Sequence, residues 1–551
     1  GMKIFRPACD SIQNYMAPRA WSDLPIYVRS ARVSGKGKNA VLVINACMEM
    51  AFYPFREGDV EHIYKIMADM MPEKYCQYRK RFRIMSNNRN LKAYTPGYYS
   101  KNGGKLYVEE HRQRAASRRG TKPLVTPLSR PYEIKKGLSL RHIALWQSHG
   151  RYYEASTDRW EWQRAPLHTT VEDMYTQSYV LPFLIPMLEN AGAYVLTPRE
   201  RDTQKYEVIT DNDPSFVGER DGLIRRKGEY SERGRWSDAG KGFADRQKYY
   251  YDNDNPFTMG TARKTECVTE EKGQKAEARW SFNVPEDGEY AVYVSYVSLP
   301  NSCESAHYTI RHRNGETEFH VNQKMGGGTW IYLGTFGFNS EEEGCVLLDN
   351  IISDSSSGGM TVTADAVKIG GGMGKIARGL PDTPKSEWRT SGMPSYIEGA
   401  LYWEQWAGVD TTVTRNWEGD YTQDFASRGA WVSMMCGGSS VNPKYEGNGK
   451  RIPVDLSLGF HSDAGITPND SIIGTLSIYT LLADNKSTLP DGRSRQTGRH
   501  LAGIVQDQVC NDIRADFEPQ WSRRMLWNKN YSESRTTSVP GMLLDLLSHN
   551  N

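Results

Sequence analysis

The chain has no Cys-x-x-Cys pair. Its eight cysteines, at positions 9, 47, 76, 267, 303, 345, 436 and 510, are scattered, which excludes a structural zinc knuckle and a thioredoxin-type redox site and leaves disulfide pairing open. It also lacks a net field. With 69 Lys+Arg against 66 Asp+Glu, nothing in the overall charge attracts nucleic acid or an anionic membrane, and the basic run "HRQRAASRRGTKP" (His111 to Pro123) reads as a solvated linker. No apolar run approaches the ~20 residues that cross a bilayer, so no integral membrane segment is expected. The opening "GMKIFRPACD" has no signal-peptide core. Gly1 ahead of Met2 suggests that a native targeting segment has been cut away.

Aromatic residues are abundant. The 32 Tyr and 14 Trp suit flat, amphipathic ligands such as sugars, although core packing also consumes them. At 551 residues and ~100–200 per domain, three or four units are expected. Residues 1–120 read as a small α/β domain, with strand-like "LPIYVRSARV", "AVLVINACMEM" and "RFRIMS" around the amphipathic "DVEHIYKIMADMM". The proline-containing "RRGTKPLVTPLSRP" reads as a linker. Beyond it, "LRHIALWQ" is a buried strand. The stretch from Thr170 is a helix with an acidic first turn and a stop at Gly192, kinked or split in two by Pro182 and Pro186.

Between Tyr206 and Lys248 the polar, glycine-rich sequence reads as a long loop or decorated surface. Regularly spaced short strands over 250–372 then indicate an all-β sandwich. α/β texture returns from 390 to 551, where "GRHLAGIVQDQVCNDI" carries Leu501, Ile504, Val505 and Val509 on one helix face. The expected fold class is therefore multidomain α/β plus all-β. An α/β domain with a mostly parallel sheet, 133–205 and 390–551, is interrupted by the β module.

Two histidines end apolar strands: His149 in "LWQSHGRYYE" and His461 in "VDLSLGFHSDAG". If the strands are parallel, both imidazoles emerge at the carboxyl edge of the sheet, where ligands of open α/β folds bind. Glu172, opening the helix after the first strand, faces the same edge. Two His and one Glu form a catalytic zinc set with a fourth position left for water. Glu154, five residues beyond His149, competes for the carboxylate role.

"SHG" after a strand, an early-helix Glu before "LENAGAYVLTPRERD", the "SLGFHSDAG" strand end and the terminal "SVPGMLLDLLS" together resemble the zinc-dependent N-acetylmuramoyl-L-alanine amidases. The inserted module, in "EYAVYVSYV" and "GGTWIYLGTFGF", resembles the golvesin C-terminal-like domain. Proteins pairing these modules often carry the name xanthan lyase, which rests on the module rather than on visible lyase chemistry.

The first resemblance implies Zn2+ on His149, Glu172 and His461, hydrolysis of the amide between N-acetylmuramic acid and L-alanine of peptidoglycan, and a secreted or periplasmic, cell-envelope location. The family's proton-shuttling Glu falls at Asp545, one methylene shorter. Ser148 and Ser462 stand where Gly and Ala are usual. Asp463 could orient an imidazole, and one of Arg523, Arg524 and Arg535 could grip a substrate carboxylate. Trp330 and Tyr332 are the aromatics expected to meet glycan on the module. The alternatives are a polysaccharide-binding or lyase-type protein whose amidase-like domain is inactive, and a zinc peptidase acting on another amide. Oligomeric state is left open.

Overall fold

The computed structural model describes residues 1–20, 24–95, 122–130, 134, 137–166, 170–224, 226–270, 272–353, 359–415, 417–463 and 472–548. The basic run at 111–123 lies outside them except for its last two residues. The chain forms two compact units: Gly1–Ala115, Leu458–Arg535 and Pro540–Asn551, and Ala116–Ser457 with Thr536–Val539.

In the first unit, the strands Val28–Ser34, Val41–Ala46, Phe82–Ser86 and Arg89–Asn90 form one sheet in that order. Val41–Ala46 alternates, burying Leu42, Ile44 and Ala46. The strand Phe82–Ser86 lies parallel to it, and a parallel step needs a crossover, supplied by the helix Asp59–Asp69. That helix buries Val60, Ile63 and Met67, one stripe of a 3.6-residue period. These side chains join Phe5, Ile12 and Met16 in one apolar core.

The same unit holds Leu476–Tyr479, antiparallel to Gly541–Ser548 and parallel to Trp527–Asn528. The helix Gln496–Asp516 does not bury the stripe suggested by its apolar residues. It buries Gly498, Arg499, Ala502, Gly503, Gln506 and Cys510, while Leu501, Ile504, Val505 and Val509 stay half-buried. Small residues let the backbones close: a Cβ on Gly498 would come 2.8 Å from the Gly541 carbonyl oxygen. The polar ones are satisfied, Arg499 donating to the carbonyls of Ala51, Tyr53 and Tyr94, and Gln506 to those of Thr475 and Arg524. Hydrogen bonding and close approach outweigh apolar area in choosing this face.

In the second unit, the fully buried strand His142–Gln147 runs parallel to Tyr194–Leu196. Between them the helix Glu172–Tyr179 gives way to a π-helical turn, Val180–Leu184, and then to Ile185–Asn190. The π turn holds Pro182, whose missing N–H breaks the regular ladder. Gly192, at φ +105°, ends the segment.

The β module is layered, with Trp280 and Tyr308 wholly buried. Its six-stranded sheet runs Glu229–Arg233, Glu277–Phe282, Gly344–Asp349, Ala306–His312, Gly315–Val321, Val125–Pro127, and Val208–Thr210 and Arg226–Lys227 join a five-stranded sheet with Val367–Ile369, Gly288–Val294 and Ile331–Phe338. Two expectations are corrected here. The presumed linker supplies Val125–Pro127 as an edge strand, a position that tolerates proline. The polar stretch from Tyr206 to Lys248 contains the strands Val208–Thr210, Glu229–Arg233 and Ser237–Gly242. The last two alternate only between exposed and half-exposed residues for most of their length, so no apolar alternation marks them.

Candidate metal centre

The strand His142–Gln147 stops at Ser148, whose φ of +34° turns the chain. His149 follows and is buried. Arg199 holds this corner from beneath, its guanidinium donating to the carbonyls of Gln147 and His149 and of Tyr396 and Glu398. Glu172 opens its helix, where a carboxylate faces the positive end of the dipole. It is buried and charge-matched: the Ser148 hydroxyl donates to Oε1 at 2.7 Å, and Arg164 Nε lies 3.4 Å from Oε2. His149 Nε2 is 3.9 Å from Oε1. The other ring nitrogen, Nδ1, is 3.2 Å from a terminal nitrogen of Arg428, which is itself paired with Asp424.

Glu154 is engaged at its own turn. It accepts from the backbone and hydroxyl of Ser156 and from Tyr152, which hold its carboxyl below the usual range.

His461 lies on the strand Leu456–Asp463 and is buried, its Nε2 3.2 Å from Oε1 of Glu533. Glu533 sits on the four-residue helix Ser532–Arg535 and is also buried. His149 and Glu172 belong to the second unit and His461 to the first.

Nitrogen and carboxylate donors such as these suit zinc. Arg428 can only donate, so in its contact with His149 the Nδ1 atom accepts.

Behind Glu172, Asp173 is fully buried, and burial followed by the Glu172 charge pushes its carboxyl up to about 7. Asp545 is half-buried on Gly541–Ser548, opposite Leu476. It and Asp463 act on Tyr531, whose hydroxyl is raised first by burial and then by those two charges. Asp463 forms an ion pair with Arg524, and Arg523 pairs with Asp507.

Trp330 is 7% exposed and packs edge-on against Phe243 and Phe257. Its rings are consumed by the core, as alternate strand residues are. Tyr332 lies under the Arg201 guanidinium, 3.8 Å from the ring centre, and lines a 410 Å³ cavity with Arg130, Arg141 and Glu189.

Glu533, Arg164 and Arg428 were not anticipated. Glu533 belongs to a helix too short for any period, and the two arginines carry no sequence mark that separates them from solvated ones.

Residues 227–371 match the Golvesin C-terminal domain. Over 98 residues the chain is 34% identical to a xanthan lyase of Bacillus sp. (strain GL1), covering 18% of this chain and 10% of that protein. Thus the chain spans about a tenth of the length of this curated relative. Among solved structures, a Paenibacillus xanthan lyase is similar over 30% of this chain and 13% of its own, at 22% identity and a TM-score of 0.22. The C-terminal CBM6 of a marine laminarinase from Zobellia galactanivorans is similar over 25% of this chain and 99% of its own, at 17% identity and a TM-score of 0.13. Among the described residues, no helix is long and apolar enough to cross a membrane.

Proposed function

We propose that the chain is a zinc-dependent amidase of the cell envelope, hydrolysing the amide between N-acetylmuramic acid and L-alanine, with its golvesin-type module directed at glycan. The observation that carries this reading is the buried pairing of an imidazole with a carboxylate at the end of the strand His142–Gln147, His149 Nε2 lying 3.9 Å from Oε1 of Glu172. Zinc, when bound there, supplies Lewis acidity toward the scissile carbonyl and a water-derived nucleophile at neutral pH. His149, Glu172 and His461 hold it. Ser148 and Arg164 fix the Glu172 carboxylate, and burial of all three ligands limits competing water. Asp545 or Glu533 carries the proton to the departing amine. The resemblance names Asp545, while the contact with His461 favours Glu533.

The comparisons favour a second reading, a polysaccharide-binding or lyase-type protein in which the amidase-like part is inactive. Its support is the match of the module to the golvesin domain and to a stretch of xanthan lyase. A zinc peptidase using the same ligands on another amide is the third. Metal analysis of the purified chain, followed by digestion of peptidoglycan, separates them. About one zinc per chain and release of free stem peptides support the amidase. Cleavage confined to peptides moves the substrate to the third reading, and absence of bound zinc with retained glycan binding supports the second. Secretion to the envelope is part of the first two.

A further inference from the structure

A hollow of 530 Å³ in the first unit takes no part in the hydrolase reading. Arg19, Arg56, Arg514 and Arg523 line it with Asn511 and, among the described residues, one carboxylate, Asp507. A chain of contacts sets these groups round a single space. Asp59, itself buried, pairs with Arg19 and accepts the Arg56 main-chain N–H at 2.6 Å. Arg56 Nε donates to one oxygen of Asp507 at 2.8 Å, and Arg523 pairs with the other. Both guanidiniums also donate to the Gly503 carbonyl, at 3.5 and 3.0 Å. On the helix Gln496–Asp516, Asn511 and Arg514 stand one and two turns beyond Asp507, so the three share a face. Arg514 Nε donates at 2.7 Å to the carbonyl of Trp521, which closely precedes Arg523 and closes the ring.

Asp507 already serves two guanidiniums, of which Arg523 is wholly buried and Arg56 mostly so. Arg19 spends one terminal nitrogen on Asp59. Arg514 spends only Nε: among the described residues its two terminal nitrogens have no partner and it forms no ion pair. The four arginines set against Asp59 and Asp507 sum to about +2. Partial burial weakens the screening that would otherwise relieve such like charges. A guanidinium presents a flat fork that matches phosphate oxygens two at a time, and the Asn511 amide adds a donor at the same mouth without adding charge.

We propose that this hollow binds a dianionic phosphate group, free or as a phosphomonoester, with Arg514 and Arg19 as the open forks, Asn511 as an amide donor, and Arg56 and Arg523 supplying the field. A surplus of about two positive charges matches a dianion better than a carboxylate or a phosphodiester, which carry one. Phosphate held there ties the segment following the helix Arg6–Met16 to the last turns of Gln496–Asp516. The inference is independent of the amidase reading: no residue lining the hollow is among the zinc ligands or proton carriers, so either reading can fail alone.

The test titrates the full chain calorimetrically with sodium phosphate at fixed ionic strength, chloride making up the balance. One saturable site is expected, and thermal unfolding should rise by about 5 °C at a hundredfold excess over Kd. Dimethyl phosphate, a monoanionic diester, should bind about tenfold more weakly or worse. Arg514→Gln removes the open fork and should weaken phosphate by about tenfold or more. Asn511→Asp places a carboxylate in the hollow at an exposed position, so the fold is kept and charge alone is tested; it should weaken phosphate at least as much. A titration no different from chloride, an affinity unchanged in Asn511→Asp, or a diester that binds as tightly as phosphate overturns the proposal.

Discussion

The guanidinium of Arg428 stands 3.2 Å from Nδ1 of His149 and is paired with the buried carboxylate of Asp424. Asp424 in turn accepts from the side chain of Gln163 and the backbone of Leu401. Truncating one member of such a pair leaves an uncompensated buried charge, which costs about 3–5 kcal/mol. Arg428→Ala should therefore lower the urea midpoint sharply. Arg428→Ala with Asp424→Ala should lose less than the sum of the two single changes, and a double-mutant cycle reads that difference.

Replacing His149 or His461 with Ala is expected to remove bound zinc, weakening affinity by at least ~100-fold, since loss even of an outer partner costs 10–100-fold. Competition with a chromophoric chelator measures it. Glu154→Ala should leave affinity within about twofold, because that carboxylate is held by Ser156 and Tyr152.

The pH dependence has a definite sign. Glu404 is fully buried, and burial pushes its carboxyl from 4.5 up to about 8. Glu398 is raised to about 8 for the same reason. An acid with a higher pKa folded than unfolded holds an extra proton in the folded chain between the two values. Its stabilising contribution is complete below the unfolded value and is lost as pH climbs toward the folded one. Unfolding temperature should fall between pH 4.5 and 8, the limits set by those two values. Glu404→Gln should flatten the slope, which scanning calorimetry across the window would show.

The helix Gln496–Asp516 yields a contrast. Val505→Thr alters a half-buried position and should cost under about 1 kcal/mol, whereas Arg499→Ala orphans three carbonyls and should cost about 3 kcal/mol or more. Equal losses in denaturant unfolding would contradict the packing described.

That contrast also marks what a sequence makes readable. The helix Asp59–Asp69 is legible because Val60, Ile63 and Met67 are both apolar and buried. The helix Gln496–Asp516 is not, because small and polar residues form its contact face. Alternation reveals the inner strands of the β module but not Val125–Pro127 or Glu229–Arg233, which lie at sheet edges and bury too little apolar surface to show a period. His149 and His461 stand out because an imidazole at the end of an apolar run is conspicuous. Glu533 and Arg428 do not, since acids and arginines are common, and only the fold distinguishes a buried one from a solvated one.

Gly150 follows the imidazole of His149, and a methyl group there would come 2.5 Å from the main-chain carbonyl carbon of Glu398. Arg151 bridges to that residue, and Arg199 bonds to both sides. The histidine corner and the polypeptide returning from the β module are thus splinted backbone to backbone, with the Arg199 guanidinium as a second tie. Any side chain at residue 150 would wedge these two backbones apart and shift the imidazole with them.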